Sequence, residues 1–226
     1  VPLLFLMPHV LTKKPKKGFI LTTIIIFAFI TTHALTFLVF LPIALIYSVI
    51  IFKKDFKSYA VFTSAVVLGF LIVSFQWLPM VFEQKYLDLG KTYFGLFEGH
   101  LISINQLLRI PKPGINIGTG IQLGTAQMAI ILISIAFLTI NFLKKKKLPT
   151  TASFFLFVVL GAAFLTTNLS KPIWELVRPL QTLLFPWRFL TLTTFSCAIL
   201  ASFIVTGIKS KTFLVPLSIV LIFLAI

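Results

Sequence analysis

Residues 18–52 form a run of 35 positions without one Asp, Glu, Lys or Arg, bounded by Lys16 and Lys17 on one side and Lys53 and Lys54 on the other. As one straight helix the run would be about 52 Å long, well beyond the roughly 30 Å of hydrocarbon in a bilayer. Thr31, Thr32 and His33 divide it near its middle. The run is therefore expected to fold as a short hairpin, 18–31 and 34–52, with lysines at both ends and its apex on the opposite side.

The rest of the chain is punctuated in the same way. Hydrophobic residues make up 58% of the 226 positions and mean hydropathy is +1.07, so a bilayer, not water, is the solvent that this composition fits. A net charge of +15 would suggest nucleic acid in a soluble chain. Here the lysines gather in four clusters between apolar runs: Lys13, Lys14, Lys16 and Lys17; Lys53, Lys54 and Lys57; 144–147; and Lys209 with Lys211. That distribution is a topology signal, with all four clusters on the cytoplasmic side, and it argues for no nucleic-acid partner. The tetrad at 144–147 also suits anionic lipid, at about 1 kcal/mol per charge.

Even numbers of crossings between clusters predict an all-α, polytopic transmembrane domain over 1–226. Six substantial spans are expected, at 18–31, 34–52, 58–78, 124–143, 151–167 and 186–207, with a partial span at each end. Outer loops fall at about 79–123 and 168–185. The chain starts at Val1 and stops at Ile226 inside apolar runs, so it is expected to be an internal piece of a longer protein. No signal peptide is evident, and the single cysteine, Cys197, excludes an internal disulfide and any cysteine-built metal site.

This topology sorts the charges. Glu83, Asp88, Glu98 and Glu175 fall outside, as do Arg109, Arg178 and Arg188, while Asp55 lies among the cytoplasmic lysines. Trp77, Trp174 and Trp187 fall near the outer interface, His33 and His100 are outside, and His9 is the exception among the histidines. Chemistry, if any, belongs to the non-cytoplasmic face. Arg188 follows Pro186 and Trp187 at the start of an inward span. A guanidinium fork beside free helix N–H groups makes a phosphate or carboxylate receptor; the alternative is an interfacial anchor that snorkels into headgroups.

Glu98 and His100 could offer two ligands to one cation, or His100 could pack the loop; no third ligand is visible. Glu83 reads either as a metal or acceptor contact or as a solvated partner of Lys85. His33 stands open between a functional and a structural role, since a polar break at membrane depth must face protein or water. The stretch "LISINQLLRI" has Leu101, Ile104, Leu107 and Leu108 at helical spacing, which predicts a surface-lying or core-facing helix. The turn-rich "PKPGINIGTGIQLG" that follows has Gly118, Gly120 and Gly124 misspaced for a dinucleotide fingerprint. No GxSxG, HExxH or phosphate-loop pattern occurs.

Taken in order, "TTHALTFLVFLPIALIY", "SFQWLPMVFEQKYL", "FEGHLISINQLL", "GIQLG" and "LLFPWRFL" resemble the bacterial membrane proteins grouped as a 6-pyruvoyl-tetrahydropterin synthase-related membrane domain, whose layout is similar to GT-C glycosyltransferases. Nothing resembles the zinc-binding histidines of the soluble pterin synthase. The resemblance implies a multispanning enzyme of the bacterial cytoplasmic (inner) membrane that takes sugar from a polyprenyl-phosphate donor. It implies lipid-phosphate binding by Arg188, with Arg178 assisting. It also implies an acidic residue at the place of Glu83 and a catalytic carboxylate upstream of Val1; the residues read above as possible metal or acceptor contacts are Glu83, Glu98, His100 and His33. A divalent metal is a candidate cofactor. The competing classes are a lipid or solute transporter, which would need a polar path through the spans, and a noncatalytic membrane scaffold.

Overall fold

The computed structural model describes residues 1–83, 86, 96–110, 121–144 and 148–207. The chain forms two compact units, Val1–Tyr93 and Phe94–Ile226. Among the described residues both are helical, and β structure is confined to one isolated bridge, Ile102 with Thr167. Asp88, Lys85, Gly118, Gly120, Lys209 and Lys211, with lysines 145–147, lie outside the described residues.

In the first unit, α1 (Pro2–Lys13), α2 (Pro15–Phe52), α3 (Phe56–Ile72) and α4 (Ser74–Glu83) follow one another. The helix α2 is broken at His33, whose backbone is extended (φ −159, ψ 83). The Phe29 ring lies 5.8 Å from that of Phe37 and 6.4 Å from that of Phe40. Eleven residues of straight helix would separate Phe29 from Phe40 by about 16 Å, so the chain doubles back at the expected apex.

The break satisfies its own backbone. Thr31 donates its hydroxyl to the Phe27 carbonyl (2.9 Å) and Thr32 to that of Ala28 (2.8 Å), serving carbonyls of the arriving turn. His33 then caps the departing helix: its Nδ1 accepts from the Thr36 backbone N–H at 3.1 Å. This is an N-cap made by an imidazole in place of the usual Ser or Asp. His33 thus has a structural job.

Close backbone approach fixes the packing, as it must where lipid is as apolar as the side chains. A Cβ at Gly18 would lie 2.7 Å from the Leu11 Cα, which closes the α1–α2 turn. A Cβ at Gly69 would lie 2.7 Å from the Ile26 Cβ and 2.9 Å from the Thr23 carbonyl oxygen. Beside it the Thr23 hydroxyl reaches the Ala65 carbonyl at 3.3 Å. Thr23 meets Ala65 and Ile26 meets Gly69, so α3 runs parallel to the first half of α2. Phe5 packs on Phe40 and Tyr47, and His9 hydrogen-bonds Tyr47 at 3.0 Å, which sets α1 beside the second half. The lysines at 13–17 and 53–57 consequently share one end of this unit, with His33 at the other. Asp55, at the lysine end, caps α3 through the Ser58 N–H and hydroxyl, and those hydrogen bonds hold its carboxyl below the usual range.

The second unit contains α5 (Ile104–Leu107), α6 (Thr125–Leu143), α7 (Thr150–Leu165), α8 (Lys171–Leu176), α9 (Arg178–Gln181) and α10 (Phe189–Gly207). Gln127 on α6 donates to the Thr194 hydroxyl on α10 at 2.7 Å, and a Cβ at Gly207 would lie 3.0 Å from the Phe137 ring. The two helices therefore run in the same direction. Trp174 donates its indole N–H to Leu165 at the end of α7 and packs against Phe189 at the start of α10, so α7 is antiparallel to both. Lys144 and Gly207 stand at one end of the unit and the Ile102–Thr167 bridge at the other.

Three helices among the described residues are long and apolar enough to cross a membrane: Pro15–Phe52, Thr125–Leu143 and Pro186–Gly207. Phe56–Ile72 with Ser74–Glu83, bent by 65°, makes a fourth if counted as one span. Thr150–Leu165 is apolar but shorter.

Two expected boundaries move. The span predicted to end at Leu78 breaks at Val73, and α4 carries helix through Pro79 to Glu83. At that break the Trp77 indole donates to the Phe70 carbonyl at 3.0 Å and stacks on the Phe70 ring at 4.8 Å. Trp77 thus takes up a carbonyl that the bend frees. The helix predicted over 101–110 shrinks to the single turn α5, because Ile102 spends its backbone on the bridge. Its N–H donates to Thr166 (3.1 Å) and its carbonyl accepts from Asn168 (2.9 Å).

Replacing Gly69 by Leu is expected to lower stability by about 1–3 kcal/mol or more by overpacking. Gly161→Ala, where a Cβ meets nothing within 4 Å, should be neutral or slightly stabilising. Thermal melting of the purified full-length protein compares the two.

Candidate functional site

At the end of the second unit away from Lys144, side chains from three segments converge. The segment 96–102 is held by the Ile102–Thr167 bridge and by Phe97, which stacks on Trp174 at 5.5 Å. Trp174 itself is fully buried. It is the centre of this packing, held by its Leu165 hydrogen bond and by Gln181, which donates to the Trp174 carbonyl at 2.9 Å. Lys171 adds an exposed tie, 3.2 Å from Glu98 and 3.7 Å from Glu175. Glu98, beside it and hydrogen-bonded to it, holds the Lys171 ammonium protonated above its usual value, with Glu175 adding to the effect.

Arg188 sits in the short 3-10 helix Pro186–Arg188 that leads into α10. Just before it, Leu184 adopts φ 63, a left-handed conformation that costs a Leu of order 1–2 kcal/mol. The surrounding turn compensates. Arg188 donates Nη1 to the Leu183 carbonyl, and its guanidinium lies over the Phe185 ring at 5.1 Å and near the Trp187 ring at 6.0 Å. Phe185 and Trp187 stack on each other at 5.7 Å. Arg188 thus staples its own loop with one arm of a fork that carries five N–H donors, and the remaining donors meet no acceptor among the described residues.

The Phe185–Trp187 pair walls an open cavity of about 610 Å³, lined also by His100, Ile121, Gln122, Leu190, Thr191 and Thr194. His100 lies edge-on to Phe185 at 4.7 Å, and its Nδ1–H donates to the Leu96 carbonyl at 2.7 Å. The ring is pinned with Nε2 left over, the arrangement by which proteins orient a working imidazole.

The six candidate residues from the sequence divide between the units. Glu83, exposed at the end of α4, and His33 belong to the first; Glu98, His100, Arg178 and Arg188 belong to the second. Of the last four, His100 and Arg188 meet around Phe185, while Arg178 is exposed at the start of α9. Glu98 is engaged by Lys171 and shares no site with His100. Among the described residues no three His, Cys, Asp or Glu gather as a metal site. Sequence reasoning missed Phe185, Gln122, Thr191 and Thr194. The spacing of Thr191 and Thr194, three apart and so on one helix face, was the available signal.

The sequence profile described as 6-pyruvoyl-tetrahydropterin synthase related domain, membrane protein, matches residues 1–226. The chain belongs to this family. Its PTPS-related membership makes it a membrane protein, in line with its apolar helices. No curated protein and no solved structure matches it.

Trp174→Ala should cost this PTPS-related protein roughly 3–5 kcal/mol, the usual loss for a buried aromatic. Proteolysis of the full-length protein, with cleavage rising first within 96–110, is the measurement that checks it.

Proposed function

We propose that this protein is a GT-C-type glycosyltransferase that takes a sugar from a polyprenyl-phosphate donor at the non-cytoplasmic face of a bacterial cytoplasmic membrane. One observation carries the reading: an open cavity with an aromatic wall, on which a partly committed guanidinium rests, at the end of the second unit away from Lys144. Leaving-group departure from such a donor puts charge on the lipid phosphate, and a preorganised guanidinium is suited to stabilise it. Arg188 takes that role, and Arg178, exposed at the start of α9, assists. Membrane lipids surround the spans and the polyprenyl chain is one of them.

Glu98 and Glu175 both pair with Lys171 in exposed contacts. The base is assigned to the catalytic carboxylate that the resemblance to GT-C enzymes implies. Glu83, exposed, remains available for an acceptor or a divalent metal.

The same reading gives the topology as six spans with a partial span at each end and every lysine cluster inside. The doubling back at His33 and the antiparallel run of α7 against α6 and α10 support it.

In the full-length enzyme, Arg188→Ala is expected to lower transfer of radiolabelled sugar from polyprenyl phosphate by about 10²–10³-fold, as for loss of one transition-state charge contact. Lysine in its place should recover part of the rate. Unchanged transfer in Arg188→Ala would sink the phosphate role, and absence of transfer by the intact wild type would sink the enzyme reading. For topology, with Cys197→Ser as background, a cysteine at Asn168 should react with an impermeant maleimide added outside intact cells. One at Ser58 should react only after lysis.

A further inference from the structure

The cavity beside Phe185 has a hydrogen-bond polarity that can be worked out atom by atom. Thr191 donates its hydroxyl proton to the Arg188 carbonyl at 2.7 Å, and Thr194 donates its own to the Leu190 carbonyl at 3.0 Å. Both oxygens keep lone pairs; one on Thr194 is used by the Gln127 amide at 2.7 Å. His100 has committed Nδ1–H to Leu96, so in the neutral ring Nε2 offers a lone pair. Three lining groups thus present lone pairs with their protons placed on backbone carbonyls, Trp187 presents an indole N–H, and Gln122 can both donate and accept.

A ligand that brings only lone pairs, such as phosphate or carboxylate, can use the Trp187 and Gln122 donors but leaves the three acceptors without a proton to share. The cavity favours ligands that bring N–H or O–H. An ammonium ligand would fit the lone pairs and the aromatic rings, but the Arg188 guanidinium already occupies the Phe185 face at 5.1 Å, and like charge opposes a second cation there. What remains is a neutral ligand rich in hydroxyls, with C–H surface to lie against Trp187.

We propose that this cavity is a binding site for a neutral polyhydroxylated ring, a sugar. Its hydroxyls donate to His100 Nε2, Thr191 Oγ1 and Thr194 Oγ1, beside the Arg188 guanidinium that the transferase reading gives to the lipid phosphate. The site is sized for such a ligand: about 610 Å³ falls within the usual range of small-molecule pockets. The inference rests on the transferase reading for the reaction in which the sugar takes part, and on the cavity alone for the binding.

The test is saturation-transfer NMR with the full-length protein in nanodiscs, without any lipid-linked donor, using methyl glycosides of neutral hexoses and pentoses as probes. At least one glycoside should bind. Its deoxyfluoro analogues, which keep the size but lose one donor each, should bind at least 10-fold more weakly at one or more positions. Excess inorganic phosphate should not compete. His100→Ala and the near-isosteric Thr191→Val should each weaken binding at least 5-fold, and Thr191→Val, at an exposed helical position, keeps the test valid if His100→Ala misfolds. Binding by no glycoside, full affinity in every deoxyfluoro analogue, competition by phosphate, or wild-type binding by Thr191→Val would each overturn the proposal. Glycoside binding without transferase activity would remove the transferase reading and leave this site standing; transfer without glycoside binding would do the reverse.

Discussion

Hydrocarbon offers no hydrogen bonds, so wherever a helix stops or bends inside this chain, the freed backbone groups must find partners within the protein. Several described breaks do this with side chains close by in sequence. Thr31, Thr32 and His33 serve the apex of the first hairpin, and Trp77 serves the bend after α3. Thr166 and Thr167 donate to the last carbonyls of α7, and Arg188 donates to Leu183 where the chain turns into α10. Polar residues are scarce in these runs, and their placement follows the breaks.

That constraint changes what a conspicuous residue means. A histidine within an apolar run and an arginine inside "LLFPWRFL" both suggest chemistry, yet His33 has an N-cap to make and Arg188 a loop to close. Glu98, a candidate ligand, is spent on Lys171. Capacity for ligand chemistry lies in what these jobs leave over: the outer donors of the Arg188 fork, Nε2 of a His100 pinned through Nδ1, and the lone pairs of two threonines whose protons are already given to carbonyls. Pinning lowers the cost of ordering these groups on binding, the usual advantage of a preorganised site.

Legibility in the sequence tracked the range of the deciding interaction. The hairpin at His33, the start of α6 after Gly124 and the turn into α10 at Pro186 depend on neighbours a few residues away and were readable. The prediction failed over much of 101–110, where helical spacing was real but Ile102 makes an isolated bridge to a residue 65 positions on, Thr167. It also misplaced the end of α3. Pro79 marked a plausible stop, but the carbonyl that could be satisfied by Trp77 was at Phe70. Nor did the sequence show that Trp174 is buried, since that depends on contacts with Phe97 and Phe189.

By itself the sequence determined that this is a helical membrane protein, broken at certain points, with lysines gathered at particular helix ends. Those properties follow from hydropathy, chain length and local hydrogen bonding, all of which a linear reading contains. Tertiary structure decided which polar groups remain available. Whether Glu98, His100 and Arg188 can meet a ligand depends on Lys171, Leu96 and Leu183 as partners, and on the side-by-side packing of 96–102 with 166–188 that brings His100 to Phe185. Such pairings between distant segments carry no periodicity, because they are set by how helices approach one another and by which backbone atoms that approach leaves unpaired.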